Sequence, residues 1–372
     1  MRLNDGQYPS SAPVQPALQR ARGKTQILTY LFHEGLTSRA DLARAVGLNR
    51  LTVAELTAEL LDEGLIEEHG VQRGVSGGKS LMMLGMSTHG FQIVGIEIDD
   101  ELRGAVMSLR GSILYDETRP TNGAQGDDLT ELVEEFAMDV MSHATTPVIG
   151  LGIGAPGMVD ADGTVIYSPN YGWKDVPLAS LLTERLGLPV LVANDASAAA
   201  VGEHAFGRAA DSMIVLVTWT GLGAGVMADG RRVHGAFHGA GEIGHVTFDF
   251  QGEKCSCGRL GCFQKVFSGD AIRAAIAGLD DEARDAKLHE LGRMLGRVLS
   301  PVTAMLDSEE VLILGDPELM DGTLRAAAEE RLKEGNLVTD ETAVKVRMGA
   351  LGDKAVMLGA AGLVLEAQLG VS

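Results

Sequence analysis

Residues 91–107, FQIVGIEIDDELRGAVM, decide how the rest of the chain is read. The spacing of Ile, Val and Met gives two strands, 92–98 and 105–109, joined by a turn made of charge. Glu97 is followed by Asp99, Asp100 and Glu101. A loop that grips a triphosphate presents backbone N–H groups at close range, so it needs glycines and no extra anions. This turn would repel phosphate. Moving outward, 113–118 reads as a third strand, 129–142 as a helix and 148–153 as a buried strand ending in GAPG. Strands and a helix in that order make a mixed α/β lobe. A second lobe opens near Ala196, with a strand at 213–217, a Gly-rich segment at 220–225 and a short strand at 226–227. Helices follow Ser268, among them a long amphipathic one over 288–306.

The N-terminal part has a different pattern. Gln26, Ile27, Leu28, Leu31 and Phe32 form an apolar stripe at helical spacing. Ser38 followed by Asp41 is a capping-box-like start for a helix over 39–46, and Gly47 stops it. Asn49 caps a third helix that runs to Leu61, with Val53, Leu56 and Leu60 facing the core. Asn49, Arg50, Leu51, Thr52 and Glu55 lie off that face. Residues 66–83 then read as two strands around a Gly-rich tip carrying Arg73 and Lys79. Three helices and a β-wing make the winged helix-turn-helix pattern, whose third helix enters the major groove of DNA. The candidate DNA contacts are Ser38, Asn49, Arg50, Leu51, Thr52, Glu55, Arg73 and Lys79, the last two on phosphates. A small three-helix protein-interaction module is the other reading.

The net charge of −20 would by itself argue against nucleic acid, but its distribution does not. Residues 1–85 hold nine Lys/Arg and nine Asp/Glu, so the body carries all the excess. A neutral head on an acidic body directs only the head at DNA. No apolar run approaches the roughly 18 residues of a membrane span. The three cysteines lie within 255–262, which makes a disulfide framework unexpected and a reducing cytoplasm the expected location. The expected domains are a mobile leader over 1–20, a DNA-binding head over 21–84, a linker over 85–90 and a body over 91–372. Within the body, one lobe takes about 91–195 plus the C-terminal helix, and the other takes about 196–355.

Several residues carry candidate chemistry. Asn194 and Asp195 follow a buried strand; Asp accepts two hydrogen bonds while Asn both donates and accepts, which suits vicinal hydroxyls. Asp195 as a helix N-cap is the plainer alternative. Glu242 and His245 lie in GAGEIGH; Asn170 and Trp173 lie in SPNYGW, offering an amide and a flat apolar face. Cys255, Cys257 and Cys262 form C-x-C-x4-C, beginning ten residues after His245. Three thiolates and an imidazole make a closed tetrahedral zinc site, structural because no position stays open. Three small inert hydrophobes are the alternative.

The segments GIGAPGMVD, SPNYGW, NDASAAAVGE, TGLGAGV, AGEIGHV and CSCGRLGC, in this order, resemble the ROK family of repressors, open reading frames and kinases. The likeness covers roughly 90–365 and, with the winged head, is similar to the xylose and N-acetylglucosamine regulator branch. It implies an α/β fold: an actin-like, sugar-kinase-like body of two lobes behind an α+β winged helix-turn-helix domain. It further implies that Asn194, Asp195, Glu242 and His245 hold a sugar, and that His245, Cys255, Cys257 and Cys262 bind zinc. His245 then has two tasks, one for each ring nitrogen. The chain also departs from the family. The opening hairpin lacks the Gly-Gly-Thr of the kinases, Trp219 stands where they place a small residue, and Gly315 is single where they carry a glycine run. Gln264 replaces the usual Glu of ROK sugar binders.

The expectation is therefore a DNA-binding regulator of carbohydrate genes, a repressor without kinase activity. Its partners are double-stranded operator DNA and a sugar or sugar phosphate; the active form is a homodimer or homotetramer. The alternative is an ATP-dependent ROK sugar kinase with Asp195 as base.

Overall fold

The computed structural model describes residues 16–72, 81–335 and 343–371. It divides into two compact units, Met1–Gly90 with Leu369–Val371, and Phe91–Gln368.

In the first unit the order is α1 (Pro16–Glu34), β1 (Thr37–Ser38), α2 (Arg39–Ala45), α3 (Arg50–Asp62), β2 (Ile66–Gln72) and β3 (Leu81–Met86). The three strands form an antiparallel sheet in the order β1-β3-β2. Ile27, Leu31, Leu42, Val53, Leu56, Leu60 and Leu84 are fully buried and make its core. The caps fall where the side-chain chemistry demands: Ser38 Oγ accepts from the Asp41 N–H, and Asn49 Oδ1 accepts from the Thr52 N–H at 2.9 Å. Ion pairs of Lys24 with Glu59 and of Arg20 with Glu59 tie α1 to α3. Helix α1 begins at Pro16, inside the stretch read as a leader over 1–20. The body also ends earlier than expected, because Val371 is buried with the head and Gly370 lies against Thr25.

The second unit opens with β4 (Gln92–Ile98), β5 (Glu101–Ser108), β6 (Ile113–Pro120), α4 (Gly126–Ser142), β7 (Val148–Ala155), β8 (Met158–Val159), β9 (Val165–Ser168), β10 (Trp173–Val176), α5 (Leu178–Leu186), β11 (Val190–Asn194) and α6 (Asp195–Ala205). The main sheet runs β11-β7-β4-β5-β6, with β4, β7 and β11 parallel and the β4-β5-β6 ladder antiparallel. All seven residues of β4 are buried, as a central strand covered on both faces requires.

The other lobe contains β12 (Met213–Val217), β13 (Gly223–Ala228), β14 (Arg231–Arg232), α7 (Gly269–Ile276), α8 (Asp281–Leu306), β15 (Glu310–Leu314), α9 (Pro317–Met320), α10 (Thr323–Gly335), β16 (Lys345–Met348) and α11 (Ala355–Leu369). Its sheet order is β14-β13-β12-β15-β16. The Gly-rich segment over 220–225 is in part strand, since β13 begins at Gly223 and continues through the 226–227 strand. Gly225 pairs with Val215, and a Cβ there would fall 2.0 Å from the Ala196 carbonyl, so a glycine lets α6 sit on the sheet. Helix α8 starts at Asp281, capped by Asp280, seven residues before the apolar spacing suggested. Helix α11 is buried from Ala355 to Leu365 and serves both lobes. Its Met357 carbonyl lies over Gly95 of β4, while Ala355 and Val356 join the core beside β12 and β15. Among the described residues no helix is long and apolar enough to cross a membrane.

Candidate functional site

The two lobes of the second unit enclose a cleft of about 410 Å³. Asn194 and Asp195 reach it from the junction of β11 and α6. Asn194 is the N-cap: its Oδ1 accepts from the Ser197 N–H at 3.0 Å, while its Nδ2 donates to Gly157 O at 3.0 Å and to Asp195 Oδ1 at 2.8 Å. The cap assigned to Asp195 as a plain alternative thus belongs to Asn194, which leaves Asp195 as the first helical residue facing the cleft. Asn170, Glu242, His245 and Gln264 line the same space.

Trp173 does not. It is 1% exposed in the core of the first lobe, where its Nε1 donates to Gly126 O and Thr130 Oγ1, each at 3.0 Å. The indole read as a stacking face for a sugar is instead a core residue with its polar handle satisfied by α4.

Three other side chains belong to the site and were passed over or misjudged in the sequence. Tyr171, between Asn170 and Trp173, donates its hydroxyl to Asp99 Oδ1 at 2.8 Å. Burial and the Asp99 charge push its pKa up. Arg259 reaches the cleft from the cysteine-rich loop. Glu97 lies near the end of β4, and its Oε2 is sealed from solvent without a hydrogen-bond partner among the described residues. Tyr171 was detectable as the one aromatic hydroxyl beside an amide candidate. Its pairing with a residue 72 positions away carries no local signal.

Electrostatically this is a place of crowded carboxylates. Burial, then the charges of Asp99, Asp195 and Asp353, push Glu97 up to about 8, although Arg103 opposes them. Burial raises Asp195 to about 6, helped by Asp99 and Glu242 and resisted by the bonds from Ala196 N–H and Asn194. Burial also raises Glu242, against the pull of His245.

A pH dependence of stability follows. Between about 4.5 and about 8 the folded protein keeps a proton on Glu97 that the unfolded chain has released. Stability from this group is full below that window and lost as pH rises through it. Asp195 adds in the same direction up to about 6. At about 1.4 kcal/mol per pKa unit, the loss attributable to Glu97 is a few kcal/mol. Urea melts at pH 5 and pH 8 should show it, and Glu97→Gln should flatten the difference; equal pH slopes in both proteins would contradict the assignment.

A second cluster adjoins the cleft. The ligand atoms of His245, Cys255, Cys257 and Cys262 all lie within 4.8 Å of one another, and these residues can hold a metal ion. Cys257 Sγ is 3.5 Å from Cys262 Sγ, and Cys255 Sγ is 3.6 Å from His245 Nδ1. Bonds of about 2.3 Å to sulfur and 2.0–2.1 Å to nitrogen give tetrahedral edges of about 3.6–3.8 Å, so the donor set fits the group. Burial raises the Cys255 thiol, but hydrogen bonds from Cys257 and Gln264 outweigh it and bring it down to about 6. Gln264 Nε2 donates to Cys255 Sγ at 3.1 Å. With Nδ1 among the sulfurs, His245 Nε2 points toward Glu242 Oε2 at 3.8 Å. Gly261 makes the loop possible: its φ is +60°, and a Cβ would lie 1.5 Å from the Asp249 carbonyl.

In the first unit, Asn49, Arg50, Leu51 and Glu55 are exposed at the start of α3, Leu51 at 71%, and Thr52 is half-buried. Arg50 makes no ion pair among the described residues, and Glu55 lies 3.9 Å from Arg20. Ser38 drops out of this surface. It is 2% exposed, and its hydroxyl donates to Asp41 Oδ2 at 2.7 Å while capping α2. Arg73 and Lys79 lie outside the described residues.

The sequence model of the ROK family matches residues 93–367, and that of a winged helix-turn-helix DNA-binding domain matches residues 24–67. The chain is 28% identical to a xylose repressor of Caldicellulosiruptor bescii, across 93% of this chain and 96% of that protein. It superposes on a ROK family transcriptional regulator, a homologue of the Escherichia coli MLC protein, with a TM-score of 0.80, 26% identity and coverage of 95% and 98%. A ROK family glucokinase from Streptomyces griseus, solved with glucose and AMPPNP, matches with a TM-score of 0.62 and 28% identity over 73% of this chain and 98% of its own.

Proposed function

Because this chain belongs to the ROK family, we propose that it is a sugar-responsive transcriptional repressor of carbohydrate genes whose body binds a sugar and transfers no phosphate. The observation that carries this reading is the joining of a winged head to a ROK body in one chain, together with the likeness to a xylose repressor over 93% of this chain and 96% of that protein. The glucokinase, by contrast, matches 73% of the chain.

In this reading Asn170, Asp195, Glu242, His245 and Gln264 bind the sugar's hydroxyls, with Asn194 setting the position of Asp195. Zinc occupies the Cys255, Cys257, Cys262 and His245 set and supplies structure, locking the ring whose Nε2 reads the ligand. The early residues of α3 face operator DNA, with Arg50 the chief contact. A homodimer presents two heads to the half-sites of a palindromic operator in the cytoplasm. The sugar favours one arrangement of the lobes, and operator affinity follows that population.

Asp195 has the place and the raised pKa of a kinase base, which is what a phosphotransfer reading has in its favour. Against it stand Asp99 and Asp100, which line the space beside the cleft where phosphates would need N–H donors. A coupled ADP-release assay over hexoses, pentoses and N-acetylhexosamines should give no sugar-dependent turnover. Turnover in the range of about 1–100 s⁻¹ usual for kinases would replace the repressor reading of the body with an enzymatic one.

A further inference from the structure

The wall of the cleft built by β4 and α6 holds a carboxylate with one oxygen that nothing among the described residues satisfies. Glu97 is 9% exposed and lines the cleft, and among the described residues its Oε2 has neither solvent nor a hydrogen-bond donor. Asp99 and Asp195 face the same space, the first held by Tyr171. Few cations balance them. Arg103 sits opposite Glu97 in the β4–β5 register but lies 3.9 Å from Asp353, and Arg259 donates to the His245 carbonyl at 3.4 Å.

We infer that this wall recognises an ammonium group, so that the effector is an amino sugar with a free amine and not a neutral sugar or a sugar phosphate. The inference rests on the sugar-binding role proposed for the cleft. A neutral hydroxyl would give Glu97 one hydrogen bond and bring no positive charge to the neighbouring Asp99 and Asp195. An ammonium brings three donors and a positive charge, and charge-assisted bonds are roughly twice as strong as neutral ones. N-acetylation removes that charge, and a phosphate would set an anion against anions. A divalent metal ion fits less well, since it needs oxygens converging at about 2.0–2.6 Å on one point. Among the described residues, the set positioned to hold a metal ion is the cysteine and histidine cluster. The raised pKa values of Glu97 and Asp195 agree with carboxylates that lack a cation.

The test is calorimetric titration of the full chain at about pH 6.5, where a sugar amine is protonated. Glucosamine, galactosamine and mannosamine are compared with glucose, galactose and mannose and with the N-acetyl forms. At least one amine should bind about tenfold or more tightly than its neutral counterpart. Its binding should release about one proton, read from the buffer dependence of the enthalpy, as the ammonium drives Glu97 to ionise. Glu97→Gln should shrink the preference about fivefold or more and abolish the release; Asp99→Asn, at a half-buried turn position, should shrink the preference independently. Neutral sugars binding as tightly as their amines, or a preference unchanged in both variants, would overturn the inference alone. No binding by any sugar would overturn the sugar reading as well.

Discussion

Replacing Cys262 by Ser, or stripping metal with a chelator, is expected to lower the melting temperature of the body by about 6–20 °C and to abolish sugar binding. The reason lies in what holds residues 246–262 together. Two isolated bridges, Thr247 with Cys262 and Lys254 with Leu260, are the strand pairing among the described residues of this segment. Its large apolar side chains face outward: Phe250 is 84% exposed, while Val246 and Leu260 are each 52% exposed. Such a loop buries little apolar surface to offset its ordering entropy, and a metal on the four ligands would supply the difference. Structural zinc sites contribute an apparent 10–16 kcal/mol or so, and losing one of four ligands forfeits a sizeable part. At about 2–4 °C per kcal/mol for a domain of this size, a loss of 3–5 kcal/mol gives the expected shift. Ligand affinity should go with it, because a metal held at Nδ1 would keep His245 Nε2 turned toward Glu242 and the cleft. If the cysteines were only small buried hydrophobes, Cys262→Ser would cost about 1 kcal/mol and metal content would be zero in both proteins. Metal analysis, thermal melts and sugar titration on the variant separate the two outcomes.

The fold was most readable where local chemistry sets it. Ser38 with Asp41, and Asn49 before an apolar stripe, mark helix starts that the structure places at Arg39 and Arg50. The cysteine spacing and His245 likewise placed a cluster that three-dimensional contact then assembles. Reading failed where the deciding partner is distant in sequence. Trp173 is a core residue because Gly126 and Thr130 of α4 accept from its indole, and nothing in SPNYGW announces this. Asp99 was read as a repellent group only; its bond to Tyr171 shows that the turn is also built into the cleft wall. The Gly-rich spacing of 220–225 does not announce that Gly225 is a strand residue, because the packing of α6 on it is a tertiary contact. Ser38 was assigned to DNA although its capping role, legible in the same sequence, already employs the hydroxyl.

The second large effect concerns the head. Arg50→Ala is expected to weaken operator binding about tenfold or more, since a residue at the start of a recognition helix loses a base or phosphate contact worth about 1–3 kcal/mol. The substitution should leave stability within about 0.5 kcal/mol, because Arg50 is exposed and outside the head's core. Sugar must act on the same equilibrium. A coupling of about 1–3 kcal/mol between cleft and operator shifts DNA affinity about 5- to 150-fold. The link that matters most is the one between an occupied cleft and a DNA-reading head in one chain. It is tested most directly by fluorescence anisotropy of a selected operator titrated with the full chain at fixed salt, with and without a saturating sugar. Operator affinity is expected to shift at least about fivefold with the sugar and to fall with Arg50→Ala. A sugar that demonstrably binds yet leaves operator affinity unchanged would contradict it.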